Sequence, residues 1–210
     1  KLTGKDVIVG IIDTGIDYLN PEFTDSNGKT RILKIWDQSL KTDKYPKDMF
    51  YGTEYSEEEI NQAIELNNSG GDPYTIVQSK DDVGHGTEMA CIIAGSGKDE
   101  NLTGVVPECD LAIVKLDRAF KKYTDYFFAK GDAVKYRNVD ILLAMKYLYN
   151  LSASGVVLLV SKLNFAQLLP LVPIYPQFSF PKRVCIIVET DVLPSVPVTP
   201  IIVNLSCGLS

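Results

Sequence analysis

Two short stretches hold the residue types from which a hydrolytic site can be assembled. Asp13-Thr14-Gly15 closes the apolar run Val7-Ile8-Val9-Gly10-Ile11-Ile12, and His85, the one histidine of the chain, stands in Asp82-Val83-Gly84-His85-Gly86-Thr87. An aspartate followed by Thr-Gly can be half of a carboxylate pair sharing a proton, because two carboxylates at close range do not both ionise. That chemistry needs a second Asp-Thr-Gly or Asp-Ser-Gly, and the sequence has none, so it would take a homodimer of a much smaller unit. Asp-x-Gly is also ordinary turn chemistry. A carboxylate beside a histidine has another use: it holds the ring in one tautomer and makes the imidazole a base near neutral pH. The glycines flanking His85 are read as removing bulk, so that a nucleophile and a passing peptide can reach the ring. A lone histidine ahead of a helix is the plainer reading, and the partnership with Asp13 is what argues against it.

The elements that must position these groups are legible in outline. The β-branched run before Asp13 predicts a strand buried on both faces, as in a parallel sheet, with the carboxylate at its carboxyl end, where such sheets place their chemistry. Thr87 to Ala94, with Met89, Ala90, Ile92 and Ile93, predicts a helix buried on most sides that stops at Gly95. Leu111-Ala112-Ile113-Val114 predicts a second interior strand, and Ile201 to Leu205 a third. Asp140 to Leu151 carries Ile141, Leu142, Met145 and Leu148 at helical spacing, and a shorter helix begins at Ser56-Glu57-Glu58-Glu59. The polar stretch from Asp37 to Lys80 around that short helix reads as a surface excursion.

Composition narrows the function classes. The 210 residues are 45% hydrophobic and 23% charged, enough apolar material for a core. Lys and Arg total 21 against 27 acids, for a net charge of −6, which offers no basic footprint for nucleic acid. Cys91, Cys109, Cys185 and Cys207 are widely spaced, and with a single histidine they do not make a zinc-binding pattern. Leu163 to Pro181 is uncharged but holds four prolines, so no membrane span is expected there.

With both motifs in hand, Val9-Gly10-Ile11-Ile12-Asp13-Thr14-Gly15-Ile16-Asp17, Gly84-His85-Gly86-Thr87-Glu88-Met89-Ala90 and Gly104-Val105-Val106-Pro107 together resemble the subtilisin-like serine peptidases, most of all the bacterial, clostridial type. The order Asp, then His, then Ser is that of the family. The resemblance runs over 1–151 and resumes at Ile201. It implies an α/β fold, a three-layer sandwich with a mostly parallel sheet that is incomplete at its C-terminus. It implies hydrolysis of peptide bonds in peptide or protein substrates, with Asp13 orienting and His85 as general base, in a secreted or spore-associated protein. By the same resemblance Val203-Asn204-Leu205-Ser206-Cys207-Gly208 is similar to the N-x-S-x-G strand, whose backbone at Ser206, Cys207 and Gly208 would pair with the substrate.

Departures from the family pattern carry expectations of their own. No Gly-Thr-Ser-Met-Ala nucleophile motif precedes Ser210, and the chain, which begins at Lys1, reads as the N-terminal part of a peptidase domain over 1–210 that is inactive by itself. A pseudoprotease that binds or regulates without cleaving, and a non-catalytic binding module, are the rival readings. Seven of the eleven prolines lie between Pro170 and Pro200, so 152–199 reads as an atypical proline-rich insertion or misread segment and the least regular part of the chain. Glu88 stands where many subtilases carry a second histidine. Glu22 takes the place of a calcium-ligating acid in related subtilases, yet the Ser96 to Thr103 loop offers few acidic oxygens and brings Lys98. No cofactor is therefore expected; calcium stays open, though the loop sequence does not support a site for it.

Overall fold

In the computed structural model, which describes residues 3–99, 103–126, 128, 134–152, 156–161, 185–188 and 201–203, the apolar runs pair into one sheet. Its strands are β1 (Val7–Asp13), β2 (Ile32–Asp37), β3 (Thr53–Ser56), β4 (Asp110–Lys115), β5 (Val156–Ser161), β6 (Cys185–Val188) and β7 (Ile201–Val203), in the order β3-β2-β4-β1-β5-β6-β7. β3 runs antiparallel to β2 and β7 antiparallel to β6, and every other pairing is parallel. The helices are α1 (Glu57–Asn68), α2 (His85–Ala94), α3 (Lys121–Tyr126) and α4 (Asn138–Ser152). Among the described residues no helix is long and apolar enough to cross a membrane.

Successive strand residues face opposite sides of a sheet, and here each side has its own core. Val9, Ile11, Ile35, Leu111 and Ile113 pack with Ile60 and Ala63 of α1 and with Ala90 and Ile93 of α2. Ile12, Trp36, Ala112 and Val114 face the other way, onto Ile141, Ala144, Tyr147 and Leu148 of α4. The α/β fold with a mostly parallel sheet is therefore built as helix, sheet, helix. A run such as Ile11-Ile12 or Ile113-Val114 carries no alternation because both of its faces are covered. The start of α1 follows its sequence signal: Ser56 and Glu59 form a reciprocal capping box.

Three expectations are corrected. α2 is buried on one side only, with Gly86, Ala90, Ile93 and Ala94 inward and Ile92 62% exposed, because a helix laid on a sheet presents one stripe to it. The segment from Asp37 to Lys80 is more than a surface excursion, since it supplies β3 and buries Tyr55, Ile60, Ala63, Val77 and Ser79. The described residues of 152–199 include β5 and β6, and β5 is the direct neighbour of β1, with Val7 opposite Val156 and Ile12 opposite Ser161. Ile201–Val203 joins the same sheet, but as its last strand among the described residues rather than an interior one. Val156-Val157-Leu158-Leu159-Val160 meets the requirements of a central strand as well as Ile201-Ile202-Val203 does, and apolar content alone does not rank the two. The rest of 152–199 lies outside the described residues.

Replacing Ile113, fully buried between β1 and β2, by alanine is expected to lower unfolding free energy by about 2–5 kcal/mol. Ile92→Ala, on the outer side of α2, should stay within about 0.5 kcal/mol. Urea denaturation of both variants checks the assignment, and a large loss at Ile92 would contradict the one-sided burial of α2.

Candidate active site

The alternation that places Val9 and Ile11 against α2 carries Asp13 to the same side of the sheet, at the carboxyl end of β1. α2 begins there with His85 as its first residue. Both oxygens of the Asp13 carboxylate lie 2.9 Å from Nδ1 of His85, across 72 positions of sequence. Asp13 is 4% exposed at its side chain and His85 25%. The backbone N–H of Thr14 donates to Asp13 Oδ1 at 2.6 Å, which fixes the carboxylate from its other side. An ionised carboxylate only accepts, so Nδ1 of the ring carries the proton toward Asp13 and Nε2 becomes the basic nitrogen.

Two glycines make this approach possible, for reasons other than the one the sequence suggested. Gly84, the residue capping α2, has φ +90°, in the left-handed region that side chains disfavour. A Cβ on Gly86 would run into the Gly15 carbonyl oxygen and press on the Cβ of Asp13. Gly86 therefore lets the helix come against the end of β1, while Gly84 supplies the left-handed turn that leads into it.

Gly84 has no side chain to cap α2, and Asp81 takes over that task. Its Oδ2 accepts from the Thr87 N–H at 2.9 Å and the Thr87 hydroxyl at 2.7 Å, and its Oδ1 from the Gly84 N–H at 2.9 Å and the Val83 N–H at 3.2 Å. Oδ1 also accepts from the Thr14 hydroxyl at 2.8 Å, and the Thr14 oxygen in turn accepts from the Gly86 N–H at 2.9 Å. Burial by itself would raise the Asp81 pKa, but the hydrogen bonds from Thr87, Thr14 and Gly84 outweigh it and hold the carboxyl below its ordinary range.

The loop that carries Asp81 is pinned to the sheet edge by groups of one transverse row. Asp13, Lys115 and Asp37 are neighbours in register at the ends of β1, β4 and β2. The Lys115 ammonium donates to the Lys80 carbonyl and to Asp82, while Asp37, 1% exposed, accepts from the Ser79 and Ser39 hydroxyls. Beside the Asp13 turn lies a cavity of about 250 Å³ lined by Thr14, Asp82, Lys115, Asp117, Arg118 and Tyr136, among others. Burial raises the pKa of Tyr136, and the nearby charge of Asp13 adds to this.

Sequence reading missed Asp37, Asp81 and Lys115. For Asp81 a signal existed: an acid three residues before a glycine N-cap, with a threonine at the third helical position, is a displaced cap. Asp37 and Lys115 had none, since their meeting depends on strand order. Ser206, Cys207 and Gly208 lie outside the described residues.

Glu22, 3% exposed, is spent on the chain itself. Its Oε2 accepts from the Gly97 N–H at 2.8 Å and the Ser96 hydroxyl at 3.3 Å, and its Oε1 from the Asp99 N–H at 2.6 Å. The Lys98 ammonium reaches the Thr24 hydroxyl and the Asp25 carbonyl alongside. Calcium takes about six to eight oxygen ligands, and the Glu22 carboxylate is already engaged by three donors of the chain itself. Among the described residues no group of three His, Cys, Asp or Glu side chains is placed to hold a metal.

Comparison with known proteins identifies a family and a similar structure. A family model described as the subtilase family matches residues 4–142, a span holding both Asp13 and His85. Among solved structures the chain is similar to that of the Clostridium perfringens CspB protease, at 25% sequence identity and a TM-score of 0.67. The alignment covers 89% of this chain and 36% of that one, so the chain spans little more than a third of its relative's length. No curated protein matches.

Gly86→Ala is expected to destabilise the protein by about 1–3 kcal/mol, the usual cost of overpacking, and to separate His85 from Asp13. Thermal unfolding together with the His85 ring resonances checks both effects, and a variant with unaltered stability would contradict the contact.

Proposed function

The chain belongs to the subtilase family, and from that premise we propose that it supplies the orienting carboxylate, Asp13, and the general base, His85, of a serine endopeptidase. The observation that carries this reading is the Asp13 carboxylate at 2.9 Å from Nδ1 of His85. In the reaction Nε2 of His85 takes the proton of a serine hydroxyl as its oxygen attacks the scissile carbonyl, and then returns it to the leaving amine. Asp13 holds the tautomer and stabilises the imidazolium that forms between those steps. Ser206, Cys207 and Gly208 supply backbone for pairing with the peptide or protein substrate.

The nucleophile is absent from these 210 residues, in which no Gly-Thr-Ser-Met-Ala occurs. Without it, and without donors aimed at the oxyanion, the chain by itself is inactive. A fluorophosphonate probe should leave the 210-residue protein unlabelled. Joined to a segment that carries the Gly-Thr-Ser serine, it should label, and Asp13→Asn should cut turnover by roughly 10⁴-fold through the wrong tautomer. Labelling of one serine in the 210-residue protein, abolished by His85→Ala, would show that the nucleophile lies within it. A longer form that binds peptides and never labels would establish the pseudoprotease instead.

The same reading holds that Glu22 does not serve as a calcium ligand, since its carboxylate is taken up by Ser96, Gly97 and Asp99. Adding excess calcium or a chelator is expected to leave the melting temperature unchanged. A rise of several degrees with calcium would reveal a site that binds the native state.

A further inference from the structure

We infer that Asp81 is a positioning residue for the Asp13–His85 pair, a role that rests on the catalytic reading of that pair. Its carboxylate touches neither member. It reaches instead the residues around both: the Thr14 hydroxyl next to Asp13, and the Gly84 N–H, Thr87 N–H and Thr87 hydroxyl on either side of His85. The Thr14 oxygen, turned by its donation to Asp81, receives the Gly86 N–H. One carboxylate thus closes a ring of hydrogen bonds running from the turn after β1, through Thr14, to the first turn of α2 and back.

That ring determines more than whether α2 is capped. A hydrogen bond weakens steeply as its angle departs from linear, and Nδ1 of His85 sits between two carboxylate oxygens at equal distance. A small rotation of the first turn of α2 would turn the ring away from Asp13 while leaving the helix formed. Gly86 packed on Gly15 limits how near the helix comes; the Asp81 bonds fix its rotation about that contact. The loop stays attached to the sheet without Asp81, because Lys115 holds Lys80 and Asp82, and Ser79 holds Asp37. Loss of the Asp81 carboxylate therefore removes the link and leaves the loop in place. An amide at this position has one acceptor oxygen and turns an NH2 group toward donors, so it leaves Thr87 or Gly84 and Thr14 unanswered.

The test uses the 210-residue protein and its one histidine, so that the proton on Nδ1 is assigned without ambiguity in a nitrogen-15 labelled sample. In the unaltered chain this proton should resonate far downfield of the amide envelope, as expected for a proton held against a carboxylate. In Asp81→Asn it should be lost or moved upfield at temperatures where circular dichroism shows the protein folded. Thr14→Val should have the same effect, and Thr14→Ser, which keeps the hydroxyl, should restore the signal. A role confined to general stability would lower the melting temperature and leave the resonance in place. The inference is overturned if folded Asp81→Asn retains the wild-type position and line width. Should Asp81→Asn fail to fold, the Thr14 pair decides: an unchanged signal in Thr14→Val overturns it, and loss in valine with retention in serine supports it. Absence of the downfield proton from the unaltered chain would remove the Asp13–His85 pair itself, an outcome distinct from failure of the Asp81 link alone.

Discussion

The close approach of Gly86 to the end of β1 is the constraint on which the rest of the site depends. Any side chain at that position would collide with the Gly15 carbonyl and Asp13, and the helix would have to withdraw by more than a hydrogen bond can stretch. With the gap closed, the backbone N–H of Gly86 meets Thr14 and the ring of His85 meets Asp13. The strand end and the helix start are then one rigid unit, which is what a base and its orienting carboxylate require.

A nearly buried carboxylate at such a junction is costly unless its oxygens are engaged. Asp13 answers that cost with the Thr14 N–H and the His85 ring, and Asp37 with the two serine hydroxyls, while the half-buried Asp81 accepts from five donors. Lys115, between Asp13 and Asp37 in register, is the cation of the row and ties the loop 79–82 down to β4. Three charged groups on neighbouring strand ends therefore have separate partners: the His85 ring at Asp13, and the 79–82 loop at Asp37 and Lys115. The same economy is visible at Glu22, where a buried acid organises the Ser96–Asp99 turn by accepting from the Ser96 hydroxyl and the Gly97 and Asp99 N–H groups.

Much of this was legible in the chain. Val7 to Ile12 and Leu111 to Val114 had to be central strands because neither run alternates, and both are now found side by side at the middle of the sheet. The helix at Ser56 announced itself by its capping box, and Asp13 and His85 by residue type and by the glycines around them. Less legible were β2 and β3, whose mixed sequences, Ile-Leu-Lys-Ile-Trp-Asp and Thr-Glu-Tyr-Ser, are strands by virtue of what they pack against. Similarly, Val156–Ser161 takes the place next to β1 although the prolines downstream argued against order there.

By itself, then, the sequence determined the two-faced burial of the central strands, the chemical identity of the carboxylate and the imidazole, and the family whose motifs they match. These follow from local composition and periodicity, which act over a few residues at a time. Only the tertiary structure decided which strand lies beside which, that α2 buries a single stripe, and that Asp81, Lys115 and Asp37 belong to the same corner of the molecule. It also gave Gly86 a reason the sequence did not show, its close packing on Gly15 and Asp13. Those outcomes depend on distances between segments far apart in the chain, and a hydrogen bond across 72 positions leaves no mark on the residues in between.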